Sequence, residues 1–266
     1  MIKGLYTAHT GMVNEMKRLD ILTNNLANAD TTGFKKEGTT SRSFADELAI
    51  KIKDTSNYGH SQKLGGVSLG AHIGQVYTDY STGNFEITDN ATDYAIEGDG
   101  FFAIAFTDKN GNTSVKLTRD GSFIVDNEGY LRTTNGDHVL NATGALNMNP
   151  DPENYVRINR LEDFTVDQLG YIYQGELLVG TVGVVDVENY DYLQKYGENM
   201  YNLVEGGAVK ATDARIHQGA LESSNVNVVN EMVNMIAIQR AYDAGQKVIR
   251  SIDESLATTV NLGKVQ

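Results

Sequence analysis

Apolar residues recur every seven positions at both ends of the chain. Near the start, Leu5, Met12, Leu19 and Leu26 fall seven apart. Near the end, Val228, Met235, Tyr242, Ile249 and Leu256 do the same, with Ile238, Gly245 and Ile252 three residues after the middle members. Sustained seven-residue spacing is the pattern of helices that pack along a seam. It predicts a helix over 4–28, roughly 38 Å long, and a second from Asn227 to Leu262, roughly 54 Å long. The first fails through Asn24, Asn25, Asn28 and Thr31, whose side chains compete for backbone hydrogen bonds, with Gly33 as a left-handed stop. A stripe cannot be buried by its own helix. Each end therefore needs a partner: the other end, another copy, or both.

Between the ends the pattern changes. Residues 37–75 are rich in Ser, Thr, Gly and Lys and read as an extended connector. A short helix is expected within it at Ser43–Ile52, where Phe44, Leu48 and Ile52 repeat every four residues. From 76 to 205 short apolar runs alternate with turn signals. Tyr94–Ile96, Phe101–Phe106, Ser122–Val125, Leu177–Val179 and Thr181–Val185 read as strands. Asp108–Asn112, Asp126–Gly129 and Thr134–Asp137 read as hairpin turns, the Asn-Gly pairs as type I′ corners. Residues 206–225 read as a polar return connector. The fold expected is α+β: N- and C-terminal helices (1–36 and 226–266) packed as a coiled-coil-like stem, with an inserted all-β domain (76–205).

Charge sharpens this division. The 266-residue chain carries a formal net charge of −13. The end segments are close to neutral, so the net negative charge lies in the middle. Near-neutral ends suit close packing, and the acidic middle suits a solvated surface. An acidic chain repels phosphates and anionic lipid, so no nucleic-acid partner is expected. No apolar run reaches the length of a membrane span, so no membrane insertion is expected. The residues from Met1 to His9 lack a continuous apolar core, so no cleaved secretory signal is expected. There is no cysteine, which excludes disulfides, thiolate metal sites and a Cys nucleophile.

Candidate chemistry is sparse. Histidines stand at 9, 60, 72, 138 and 217, none three or four residues from another, so no helical metal pair exists. Glu97 and Asp99 could serve as a glycosidase pair. The simpler reading is a tight corner at Gly98 and Gly100 with solvated acids. The Asp108 and Asp126 turns lack the complete ligand series of a calcium loop. No P-loop occurs. No catalytic residue, metal or cofactor is expected.

Separate motifs carry a family resemblance. Asn24-Asn25-Leu26-Ala27-Asn28-Ala29-Asp30-Thr31-Thr32-Gly33-Phe34-Lys35 resembles the N-terminal signature of the bacterial flagellar rod and hook proteins. Gly219–Asn227, Glu231-Met232-Val233 and Gln239-Arg240-Ala241-Tyr242 resemble its C-terminal signature. Tyr94–Phe102 and Thr118–Phe123 resemble its central β motifs. The motifs occur in order from end to end, and within the family they fit the distal-rod type best, with the proximal-rod type close behind. The resemblance implies a structural protein that polymerises into a helical tube, with neighbouring rod and hook-family proteins as partners. It also implies passage through the flagellar export apparatus to the basal body without signal cleavage. The assembly interface expected is Leu5, Met12, Leu19, Asn25, Leu26, Asn28, Gly33 and Phe34 with Val228, Met235, Ile238, Tyr242, Gly245, Ile249, Ile252 and Leu256. The terminal helices are expected to be poorly ordered in the free monomer and to order on docking, where apolar burial offsets the entropy of fixing the backbone. A cell-wall-binding β module and an acidic hydrolase are the competing classes.

Overall fold

The computed structural model describes residues 2–45, 47–51, 62–159, 162–197 and 199–263. It contains three α-helices among them, α1 (Ile2–Ala27), α2 (Ala142–Leu146) and α3 (Val228–Gly263), with many short strands. The chain forms two compact units. One takes both chain ends and residues 36–79; the other takes residues 28–35 and 80–225.

In the first unit α1 and α3 pack side by side and antiparallel. Gly4 lies against Ile252, and Met12 against Gly245. Leu19 lies beside Ile238 and Tyr242. Among the described residues two ribbons accompany the helices. Glu37–Ser43 pairs antiparallel with Ala71–Thr78, with a register shift between Thr40 and Ser41. Glu47–Lys51 pairs antiparallel with Gln62–Val67. The helix expected at Ser43–Ile52 is therefore absent over its described residues: strand pairing prevails there over a four-residue apolar period too short to nucleate a helix. Asp46 and Ile52 lie outside the described residues. Residues 37–75 are strand-bearing rather than a bare connector.

A polar stripe on α1 carries the first ribbon. Thr10 Oγ1 donates to the Leu69 carbonyl at 3.1 Å, and Asn14 Nδ2 donates to Ser41 Oγ at 3.1 Å. Buried Asn25 donates to the Glu37 carbonyl at 2.8 Å and accepts from the Glu37 N–H at 2.9 Å. Its amide thus imitates a strand neighbour, joining the helix end to the ribbon start.

The second unit is β-rich. Phe101–Thr107 is the middle of a nine-stranded sheet, paired with Thr113–Thr118 on one side and with His138–Val139 and Val184–Val187 on the other. Phe102 and Ile104 face a cluster with Phe123, Leu131 and Val139. Phe101, Ala103 and Ala105 face another with Leu117, Val185 and Tyr201. A strand buried on both faces must be apolar throughout, which explains the unbroken run Phe101–Phe106.

The turns fall where the sequence puts them, but their type differs. At Asp108–Asn112, Asp126–Tyr130 and Thr133–Asp137 the first N–H donates to the fifth residue's carbonyl, and the fourth residue's N–H returns to the first carbonyl. Asp167–Tyr171 repeats the pattern. Only the fourth residue, Gly111, Gly129, Gly136 or Gly170, takes positive φ. Asn110 and Asn135 do not. These are type I turns closed by a glycine bulge, not type I′ corners.

Residues 206–225 are also more than a connector. Arg215–Gln218 pairs with Tyr94–Glu97, and Ala220–Glu222 with Phe85–Ile87. At the other end, residues 28–35 belong to this β-rich unit rather than to the helical one.

Candidate assembly surface and a buried ion triad

Along α3 the less exposed positions are Glu231, Met235, Ile238, Gly245, Ile249 and Ile252, with Tyr242 and Leu256 more open on the same stripe. Val228, just before Glu231 on that stripe, is half-buried, as are Leu5, Met12, Leu19 and Leu26 on α1. The seven-residue stripes therefore follow the faces along which α1 and α3 pack. Gly245 permits the approach: a Cβ there would stand 2.7 Å from Met12 Cγ. Around Leu19, Ile238 and Tyr242 a cavity of about 170 Å³ remains.

A second apolar stripe on α3 is left uncovered. Val229, Met232, Val233 and Ile236 stand at i, i+3, i+4 and i+7, with Val229 69 % and Val233 60 % exposed. Tyr6 and Met16 are exposed on α1, and Val260 and Leu262 near the end of α3. This is the spacing of a face made to pack on another helix.

The remaining residues of the expected interface lie in different surroundings. Asn25 holds the ribbon as described. Asn28 accepts the Thr31 N–H and hydroxyl, each at 3.3 Å. Gly33, at φ 66°, donates its N–H to the Glu222 carbonyl at 2.7 Å. A Cβ on it would meet the Arg119 backbone at 2.5 Å. Phe34 is buried, with Lys195 Nζ 4.2 Å above its ring. Asn25, Gly33 and Phe34 are thus interior residues of the subunit.

Beside them lies a group that periodicity does not reveal. Lys35, Arg119 and Glu222 are buried, at 1–2 % exposure, and form one ion triad. Lys35 Nζ is 2.6 Å from Glu222 Oε1 and donates to the Ser81 carbonyl at 2.7 Å. Arg119 donates to Glu222 Oε2 at 3.2 Å and to the Gly98 carbonyl at 2.8 Å. The Gly83 N–H also donates to Glu222 Oε1, at 2.8 Å. One carboxylate thus holds two buried cations. Arg119 Nε has no partner among the described residues, and the guanidinium lies 5.3 Å from the Phe101 ring. Removing the anion would leave two uncompensated charges.

Chemistry on a substrate finds little support in the geometry. Glu97 and Asp99 flank Gly98 in a corner where Gly98 and Gly100 both take positive φ, as expected. Glu97 Oε2 is 2.7 Å from His217 Nε2 on the paired strand. That hydrogen bond, against some desolvation and with help from the charge of His217 and Arg215, holds the Glu97 carboxyl below its ordinary value. Among the described residues no three His, Asp or Glu side chains come together as metal ligands; His60 lies outside them. No described helix is long and apolar enough to cross a membrane.

Comparison with known proteins accounts for the arrangement. A flagellar basal-body rod protein family model matches residues 5–35. The flagellar hook protein FlgE/F/G D1 domain model matches 95–174, and the flagellar basal-body rod FlgEFG C-terminal model matches 217–262. The flagellar basal-body rod protein FlgG of Bacillus subtilis is 34 % identical over 98 % of this chain and 99 % of its own length. The chain belongs to the flagellar basal-body rod FlgEFG family. FlgF of Caulobacter vibrioides is 33 % identical over the whole of both chains, and FlgG from Buchnera aphidicola of Acyrthosiphon pisum is 32 % identical over 96 % of this one. The rod family is structural rather than enzymatic. Each of the three matched regions supplies one member of the triad: Lys35, Arg119 and Glu222. The signatures that mark a FlgEFG protein in sequence thus meet at one buried point in space.

Proposed function

We propose that this chain is a structural subunit of the flagellar basal-body rod, FlgG-like and of the distal-rod type, which polymerises into a helical tube and transmits torque. The observation that carries this is the near end-to-end similarity to proteins named as basal-body rod proteins. The paired terminal helices supply the assembly surface, with the seam residues Leu5 to Leu26 and Val228 to Leu256 fixing the pair and the outer stripe of α3 meeting neighbouring subunits. Contact between unlike faces propagates instead of closing into a dimer, which a tube requires. Partners on this reading are further copies, adjoining rod and hook-family proteins, and the flagellar export apparatus, entered without signal cleavage. A proximal-rod role is the second reading, favoured by the full-length similarity to a FlgF protein.

The test compares the full chain with a chain lacking residues 1–27 by sedimentation and electron microscopy at increasing concentration. Tubes or fibres from the full chain alone support terminal-helix polymerisation. Equal behaviour of both as small particles would overturn it.

A further inference from the structure

A cavity of about 250 Å³ opens within the helical unit, walled by Arg18 and Leu22 of α1, Lys36 just before the ribbon, Tyr77 of the ribbon, and Glu231 and Asn234 of α3. Glu231 occupies a seam position of α3, the step between Val228 and Met235 where the heptad calls for an apolar side chain. It is only 7 % exposed, and its Oε2 has no hydrogen-bond partner among the described residues. The cations on the wall are engaged elsewhere. Arg18 NH1 donates to both oxygens of Glu15, at 3.0 and 2.9 Å, and Lys36 Nζ stands 3.7 Å from Asp79. A buried carboxylate oxygen without a donor destabilises the chain that carries it. An apolar residue would serve the seam better, unless a donor arrives from outside.

We infer that this cavity is a socket for a guanidinium from a second copy of the chain, which enters beside Glu231 and completes its hydrogen bonding. Charge complementarity selects the occupant. Arg240 and Arg250 stand exposed on α3, and among the described residues neither has a carboxylate within ion-pair distance. A planar guanidinium donates to a carboxylate in a fixed fork, so it sets orientation as well as attraction. The inference rests on the rod reading above and adds what sets the register between copies. Glu231 then works against the lone subunit and for the polymer, making docking specific where the apolar stripes alone would allow sliding.

The test uses the full chain. Glu231→Met fills the same volume without charge; Glu231→Gln keeps the shape. In dilute solution, helix melting of Glu231→Met is expected at a higher temperature than that of the unsubstituted chain, while its concentration for assembly rises by about tenfold or more. A lower melting temperature with unchanged assembly would mean that Glu231 serves the subunit's own fold, and would overturn the socket. Because the chain has no cysteine, single-cysteine variants give clean cross-links. A Glu231→Cys chain mixed with Arg240→Cys or Arg250→Cys chains should form disulfide-linked pairs between copies. No cross-link to either position overturns the proposal. If the unsubstituted chain forms no polymer, the rod reading fails, and cross-link yield at matched concentration decides the socket alone.

Discussion

The two units bury their apolar residues to different degrees. In the β-rich unit Phe101, Phe102, Ala103, Ile104 and Ala105 are almost wholly removed from water, and the clusters on either face of that strand are closed. In the helical unit Ile238 is the one large apolar side chain of the described helices that reaches that state, while Val229, Met232, Val233 and Ile236 remain open. The first has a closed core, with Leu169, Leu177 and Leu178 exposed outside it. The second is half a core. Its seam is occupied from within the chain and its outer face is not, which is the condition of a subunit that completes its burial by meeting others.

Removing the anion of the triad should produce the largest effect on this contrast. Glu222→Gln keeps the volume but leaves Lys35 and Arg119 buried without a counter-charge, and should destabilise the β-rich unit by about 3–5 kcal/mol. Tyrosine fluorescence during urea unfolding would show it. The same logic bears on where the chain can be cut. A fragment spanning 36–221 loses both Lys35 and Glu222, whereas 28–225 keeps the triad whole, so the longer fragment should be much the more stable.

Next comes a charge on the seam. Ile249→Asp should abolish assembly and lower helix melting, with the β-rich unit's transition nearly unmoved; coupled loss of both transitions would show that the halves do not fold separately. Gly245→Leu acts more mildly by pushing Met12 away. Overpacking of this kind costs about 1–3 kcal/mol. Helix content at 25 °C should persist while melting shifts downward.

How much of this is legible in the sequence follows from what kind of signal each element leaves. The seam residues repeat, so the heptads locate α1 and α3 within a residue or two. The strand Phe101–Thr107 announces itself as an apolar run, and glycine marks each turn. Connectors 37–75 and 206–225 read as bare because their strands carry many polar residues and pair with segments that no local pattern links to them: Arg215–Gln218 makes sense only beside Tyr94–Glu97. Turn type escapes because an Asn-Gly pair fits two geometries, and only backbone angles separate them. The triad is hidden for a different reason. Lys35, Arg119 and Glu222 lie inside quoted family motifs, but a buried ion looks like a surface ion in sequence, since its partners are 103 and 187 residues away. Glu231 does leave a signal: it is the acidic residue interrupting an otherwise apolar heptad stripe.

The smallest expected change in the subunit separates the two faces of α3 most cleanly. Val233 is 60 % exposed and belongs to the outer stripe, not the seam. Replacing it with serine removes little buried surface within the chain, so thermal stability should shift by no more than about 0.5 kcal/mol. In a polymer the same side chain would be covered, and its loss would recur at every subunit contact. Val233→Ser should therefore raise the concentration needed for assembly without moving either melting transition. A substitution of matching size at Ile249, on the seam, should do the reverse first, lowering helix melting before assembly is examined. If Val233→Ser assembles at the unsubstituted concentration, the outer stripe is ordinary solvent-facing surface. The neighbours must then dock elsewhere on the helical pair.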